Sequence, residues 1–128
     1  MPKDLISVVR STKYTLDAFL FVQRGLEFTV NRVHGEADPD AEPAARHVTG
    51  EDLCLGLRDY AIEQYGLLAR TVLRRWGITR CEDFGNIVFA MVDAGLMQKT
   101  DDDTIEDFRD VFDFKQAFSP TLQVGGAN

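Results

Sequence analysis

Residues 105–114, IEDFRDVFDF, satisfy two periodicities at once. Phe108, Phe112 and Phe114 stand at even separations, as a strand with one buried face requires. Ile105, Phe108 and Phe112 equally fit one face of a helix that follows a Thr104 cap. The reading adopted is a helical turn near 104–108 followed by an extended stretch near 110–114. Upstream, Leu96-Met97-Gln98-Lys99-Thr100 reads as a short strand and Asp101 to Thr104 as a polar turn, so 96–100 and 110–114 are expected to pair as a ribbon. The expected fold class is α+β, mainly helical: about four helices plus a small C-terminal β ribbon, in a winged-helix-like order. Phe108, Phe112, Phe114 and Phe118 would anchor this acidic segment on the helical core, each fully buried ring contributing about 2–3 kcal/mol.

The helices lie upstream. From about Thr15 to Val33, Tyr14, Ala18, Phe21, Val22, Gly25, Leu26 and Thr29 recur at three- and four-residue intervals, and Gly35 follows as a stop. Phe19, Leu20 and Phe28 widen the apolar surface, which suits a central helix, and residues 5–9 read as a short helix before it. A second helix starts at a Thr49 cap answered by Asp52, carries Leu53, Leu57, Tyr60, Ala61 and Gln64, and ends at Gly66. A third, about Leu67 to Trp76, places Leu68, Val72 and Trp76 on one side and turns Arg70 and Arg74 together towards solvent. A fourth opens on Thr79-Arg80-Cys81-Glu82, read as a full capping box, and runs to Gly95. Phe84, Ile87, Val88, Met91 and Val92 form its buried stripe, leaving Glu82, Asp83, Asn86 and Asp93 outward. Between the first long helix and the second, residues 35–48 (GEADPDAEPAARHV) form an acidic loop with two prolines, and the tail after Pro120 is expected to fray. The whole of 1–128 is read as one globular domain without internal repeats.

The chain has 128 residues, 45% hydrophobic, with 14 Lys+Arg against 21 Asp+Glu, a net charge of −7 that counts against indiscriminate polyanion binding. The charge is uneven. Residues 70–80 carry Arg70, Arg74, Arg75 and Arg80 with no acid, whereas 101–113 carry seven acids against Arg109 alone. The longest apolar run, Ile87 to Val92, is far short of the roughly 18–20 residues of a membrane span. The opening MPKDLISVVRSTKYTLD is polar where a signal peptide is apolar, and two cysteines suit a reducing compartment, so a cytoplasmic location without membrane association is expected.

Motif by motif, the chemistry is sparse. A winged-helix regulator would read bases with Arg, Lys, Asn or Gln on the outward face of the fourth helix, but three of the four outward residues are acidic, and the wing is the most acidic segment of all. Nucleic acid is therefore disfavoured as a partner. A calcium loop starting at Asp101 would need an oxygen ligand at 105 and glycine at 106, where the chain has Ile105 and Glu106; starting at Asp102 puts Asp107 at the glycine position. His34, His47, Cys54 and Cys81 lack metal-ligand spacing, and the cysteines read as small buried thiols. His47 is expected to bond loop carbonyls beside Arg46. No nucleophile elbow, phosphate loop or HExxH is present, and Ser7, Ser11 and Ser119 have no evident His partner. No catalytic residue, metal or cofactor is assigned, although a small enzyme with a site assembled only in three dimensions stays open as an alternative. The candidate partner-binding residues are Arg70, Arg74, Arg75 and Arg80, whose guanidinium groups can grip carboxylates or phosphates. Against that stand capping of helix C-termini, pairing with the 101–113 acids of the same chain, or a solvated face.

The segments RHVTGEDLCLGLRDYA (46–61), VLRRWGI (72–78), DFGNIVFAMVDAGLM (83–97) and DFRDVFDFKQAF (107–118), together with the helix from Tyr14 to Thr29, resemble a family of small conserved bacterial proteins found in planctomycetes and verrucomicrobia. That family has no assigned activity, cofactor or catalytic residue, so the resemblance implies a bacterial cytoplasmic single domain and adds no mechanism. It places Arg46-His47, Trp76-Gly77, Asp83-Phe84-Gly85 and Asp107-Phe108 in a shared pattern weighted towards packing and turn geometry. The function expected from the sequence is a non-catalytic protein-interaction module. A protein partner or a second copy would meet either the arginine surface or the acidic one.

Overall fold

The computed structural model describes residues 4–35 and 47–118. Its helices are α1 (Leu5–Arg10), α2 (Leu16–His34), α3 (Gly50–Tyr65), α4 (Ala69–Arg75), α5 (Cys81–Asp93) and the single turn α6 (Phe114–Ala117), with 3-10 turns at Gly66–Leu68 and Ile105–Phe108. α2 begins where Thr15 accepts the Ala18 amide, and α3 where the Thr49 hydroxyl accepts the Asp52 amide at 3.0 Å. The Thr49 cap is the one the sequence predicts, and the Thr15 cap falls at the expected start of α2.

The α2–α3 pair is the centre of the molecule, and glycine sets how closely it packs. On α3, Gly56 faces Thr29 of α2 so closely that an added Cβ would overlap the threonine hydroxyl; on α2, Gly25 meets Leu57 in the same way. Thr29 is fully buried there and donates its hydroxyl to the Gly25 carbonyl at 2.7 Å, so no polar group is left unpaired at the contact. α5 closes the core with Phe84, Ile87, Val88 and Met91 against Phe19, Val22 and Leu57. It ends in a Schellman turn: Leu96 N–H reaches Met91 O at 2.8 Å and Gly95 N–H reaches Val92 O at 3.0 Å, with Gly95 at φ +79°.

The β ribbon is not formed: among the described residues there is no strand. Two local side-chain caps take its place. Asp107 accepts the Thr104 amide at 3.0 Å and closes the 3-10 turn Ile105–Phe108. Asp113 accepts the Lys115 and Gln116 amides at 2.8 and 3.3 Å and starts α6 inside what was read as a strand. Phe108 enters a notch floored by Gly50 of α3 and Gly85 of α5, where any Cβ would lie under 3.0 Å from its ring or its own Cβ. Phe112 and Phe114 stack nearly parallel at 5.1 Å between centroids, and Phe118 meets both edge-on. These phenylalanines do anchor the segment, but from turns rather than from alternating strand positions. With no ribbon there is no wing, and the winged-helix-like expectation falls with it.

Two further details differ. α4 buries Ala69 and Leu73, one residue out of phase with the predicted Leu68/Val72 stripe, and Leu68 is 63% exposed. The α5 cap is Arg80 rather than Thr79, and the acid that reaches back to it is Asp83 rather than Glu82. Asp83 is consequently 1% exposed instead of facing outward. Most of the 35–48 loop and the tail after Pro120 lie outside the described residues.

Candidate functional site

α4 turns Ala69 and Leu73 inward, which leaves Arg70, Arg74 and Arg75 on solvent; Arg80 follows, exposed, in the connection to α5. Arg74 and Arg75 occupy the last turn of α4, where a cation is favoured by the helix dipole. Among the described residues, ion pairs join Lys13 to Asp83, Arg32 and Arg58 to Asp59, His47 to Asp103 and Arg109 to Glu106. None includes the four predicted arginines, so the alternative of pairing with the 101–113 acids is not met among the described residues. Next to them, Leu67 and Leu68 stand 57% and 63% exposed on the turn between α3 and α4, with Tyr65 partly exposed beside them.

The four arginines do not form one cluster. Arg70 and Arg80 line a cleft of about 450 Å³ whose opposite wall is the 110–115 turn, and Arg74 and Arg75 lie outside it. Cations Arg70, Arg80 and Lys115 there face Glu82, Asp110 and Asp113, so the cleft is neutral overall. Its floor includes Cys81, the first residue of α5. The Phe112 amide donates to Cys81 Sγ at 3.4 Å, and the Phe112 carbonyl can accept from the same thiol at 3.3 Å. Hydrogen bonding from the Cys54 thiol pulls the Cys81 thiol below its ordinary pKa, against burial, with the Phe112 and Val111 amides helping. The same contact, together with burial, pushes Cys54 up. The turn that presents these amides holds Asp110 at φ +49°, a left-handed conformation that a non-glycine residue rarely adopts.

A second concavity, about 560 Å³, lies between α2, α3, α5 and the segment after Gly95. Leu26, Val30, Leu53, Val88 and Phe108 give it apolar walls, and His47 and Asp103 supply a polar rim. His47 Nε2 meets Asp103 Oδ1 at 3.0 Å, Asp103 Oδ2 accepts the Thr100 amide at 2.8 Å, and the His34 ring bonds the His47 carbonyl at 2.6 Å. The predicted bonding of the His47 ring to loop carbonyls is thus replaced by a carboxylate partner 56 residues away, which no local pattern signals.

The most buried carboxylate is Asp83. It accepts from the Tyr14 hydroxyl, from the Thr79 amide at 2.8 Å and from the Arg80 amide at 3.2 Å, with Lys13 Nζ at 3.5 Å. Burial pushes its carboxyl up, but the Thr79 amide, Tyr14, Lys13 and the Arg80 amide outweigh it and hold the pKa below the usual carboxylate value. Asn86 donates to the Tyr14 oxygen at 3.0 Å and completes the network. These bonds tie the α1–α2 turn to the start of α5; Thr79 and Arg80 also line the cleft of about 450 Å³, whereas Tyr14, Asp83 and Asn86 line neither of the cavities described above. Among the described residues no three His, Cys, Asp or Glu side chains converge as a metal site, and no helix is long and apolar enough to cross a membrane.

No protein-family model, no curated protein and no solved structure matches the chain.

Proposed function

We propose that the chain is a non-catalytic protein-interaction module whose docking surface is the corner between α3 and α4, and that its partner is a second copy of the same chain. The observation that carries this reading is the pair Leu67 and Leu68, both more than half exposed and bordered by Arg70 and Arg74 that pair with no acid among the described residues. Exposed aliphatic and aromatic side chains ringed by arginine have the composition of an interface centre. The acidic 101–113 segment, with Ile105 also exposed, offers the complementary surface. The two patches adjoin across the Cys81 cleft, so a two-fold axis between them would set each copy's arginines against the other's acids. The likeness to small bacterial proteins without assigned activity is itself part of the proposal and adds no mechanism to it.

Sedimentation velocity at low and high salt tests it. A dimer that weakens as salt shortens the screening length from about 10 Å at 0.1 M to about 3 Å at 1 M, and that is lost in Leu68→Asp/Arg74→Glu, supports the reading. A chain that stays monomeric at low salt and high concentration overturns it.

The apolar concavity favours a second reading, capture of a small apolar ligand, because its volume of about 560 Å³ falls in the range of ligand pockets. Val88→Trp should fill it; an apolar fluorescent probe that binds the wild type and the variant equally would remove this reading.

A further inference from the structure

Charge and shape divide between the two ends of α3. At its C-terminal end, Leu67 and Leu68 occupy a 3-10 turn that buries none of its residues, and from Gln64 to Arg80 the chain carries four arginines and no acid. At its N-terminal end, Gly50 and Leu53 line the cavity of about 560 Å³ whose other apolar walls include Leu26, Val30, Val88 and Phe108. An adjoining concavity shares His47, Thr49, Thr100 and Asp103 with that cavity, and adds Glu51, Asp102, Glu106, Asp107 and Asp110 against Arg109. One chain therefore carries an apolar projection flanked by cations and an apolar recess flanked by carboxylates. Along α3 they are roughly 18 Å apart, at a helical rise of about 1.5 Å per residue, and both are built on that one helix. No chain can seat its own leucines in its own cavity.

We propose that this cavity receives the Leu67–Leu68 corner of a second copy. The inference rests on the reading of the α3–α4 corner as a self-association surface, and adds what that corner enters. Two copies related by a two-fold axis set their α3 helices antiparallel, so each gives one leucine corner and receives the other.

The surroundings of the cavity select this occupant. Its aliphatic and aromatic walls favour an incoming leucine by burial alone. The rim can be covered without stranding the Asp103 carboxylate, because one oxygen already meets His47 Nε2 and the other accepts the Thr100 amide. Arg70 and Arg74 follow Leu68 closely in the chain and arrive beside the carboxylates of the adjoining concavity. The opposing cations are few. Arg109 is held by Glu106 at 3.2 Å, and Lys99, exposed on the rim, bonds the Thr100 carbonyl at 3.3 Å. A neutral apolar molecule would use the walls and leave the acids idle; the leucine corner uses both.

The test mixes two variants of the intact chain. Leu68→Asp spoils the corner and leaves the cavity whole; Val88→Trp fills the cavity and leaves the corner whole. In sedimentation velocity at low salt the wild type should dimerise, and each variant alone should self-associate at least about tenfold more weakly. An equimolar mixture should associate more tightly than either variant alone, as a 1:1 heterodimer held by the one whole corner in the one whole cavity. Leu96→Arg, at a residue 36% exposed on the rim, sets a cation against the incoming arginines and should act as Val88→Trp does. It takes the tryptophan variant's place in the mixture if circular dichroism shows that variant unfolded. A wild type that stays monomeric overturns this inference together with the self-association reading. A dimer weakened by Leu68→Asp but by neither cavity variant, or a mixture no tighter than its parts, overturns the inference alone, since the corner then meets some other surface of the second copy.

Discussion

The Tyr14 hydroxyl donates to the buried Asp83 carboxylate and so joins the turn before α2 to the first turn of α5, 69 positions away. Asp83 is also the acceptor for two backbone amides that begin α5. Asp83→Ala strands all three donors in a dry site and should lower unfolding free energy by about 3–5 kcal/mol. Tyr14→Phe removes one hydroxyl that bridges Asp83 and Asn86 and should lower it by about 1–2 kcal/mol. Because the residues touch, urea denaturation of the double variant should show less than the sum of the two losses.

The same pair fixes a pH dependence with two limbs. Asp83 has its folded pKa lowered, so its contribution is complete above the ordinary carboxylate value of about 4 and fades as pH falls through the folded value. Tyr14 is raised by burial and by its bond to Asp83, so its contribution is complete below the ordinary phenol value of about 10 and fades as pH rises beyond it. Asp59 is lowered as well: Arg58 and Arg32 outweigh its burial, which adds to the acid limb. Denaturation midpoints across pH should form a plateau with falling shoulders. Asp83→Asn should flatten the acid shoulder and Tyr14→Phe the alkaline one; unchanged shoulders in both variants would contradict the assignment.

Gly56 and Thr29 set the spacing of the central helix pair. A methyl at Gly56 would overlap Thr29 at its hydroxyl and crowd its Cβ and Cγ2 at under 3.0 Å. Gly56→Ala should therefore destabilise by about 1–3 kcal/mol even though alanine is the better helix former. Thr29→Ala in the same chain frees the hydroxyl and Cγ2 positions but not the Cβ, so thermal denaturation should show partial recovery and not full recovery.

Which parts of this fold were readable followed from the range of the forces involved. The ends of α2 and α3 depend on Thr15, Thr49, Gly35 and Gly66, residues whose signals act within one turn, and these boundaries were predicted closely. The 105–114 stretch depends on Gly50 and Gly85, contributed by two other helices, which make room for Phe108. The helical turn expected near 104–108 is present, but a periodicity of phenylalanines carries no trace of that notch or of the Asp113 cap, and residues 110–114 form a turn and the start of α6 where a strand was expected. The exposed arginines were legible because no acid stands within 70–80. Their separation into Arg70 and Arg80 on one cleft and Arg74 and Arg75 outside it was not, because the far wall comes from residues 110–115. Cys54 and Cys81 were legible as buried thiols, yet the Phe112 amide that meets Cys81 lies 31 positions away, beyond any spacing rule.

Phe108 tests the notch directly. Its ring is buried against both glycines and meets Phe89 edge-on at 6.2 Å. Phe108→Ala should lower stability by about 3–5 kcal/mol, the usual range for an emptied aromatic site. If 105–114 were instead held as a strand by backbone pairing, Thr104→Ala would matter little. With the 3-10 turn present, hydrogen exchange at residues 104–108 should rise in Thr104→Ala as well.

The one-residue phase of α4 decides which leucine holds the fold and which is free to bind. Leu73 is fully buried and Leu68 is 63% exposed, although the spacing alone favours Leu68 for the core. Leu73→Ala should lose about 2–5 kcal/mol, whereas Leu68→Asp should stay within about 0.5 kcal/mol of the wild type. That asymmetry gives the docking proposal a usable probe, because Leu68→Asp changes the surface without disturbing the helices beneath. If calorimetry instead finds Leu68→Asp strongly destabilising, the leucine belongs to the core and the α3–α4 corner is not a free face. If the variant is stable but no longer associates, the exposed pair is the contact, and the helix phase that hid it in the sequence is what makes it available.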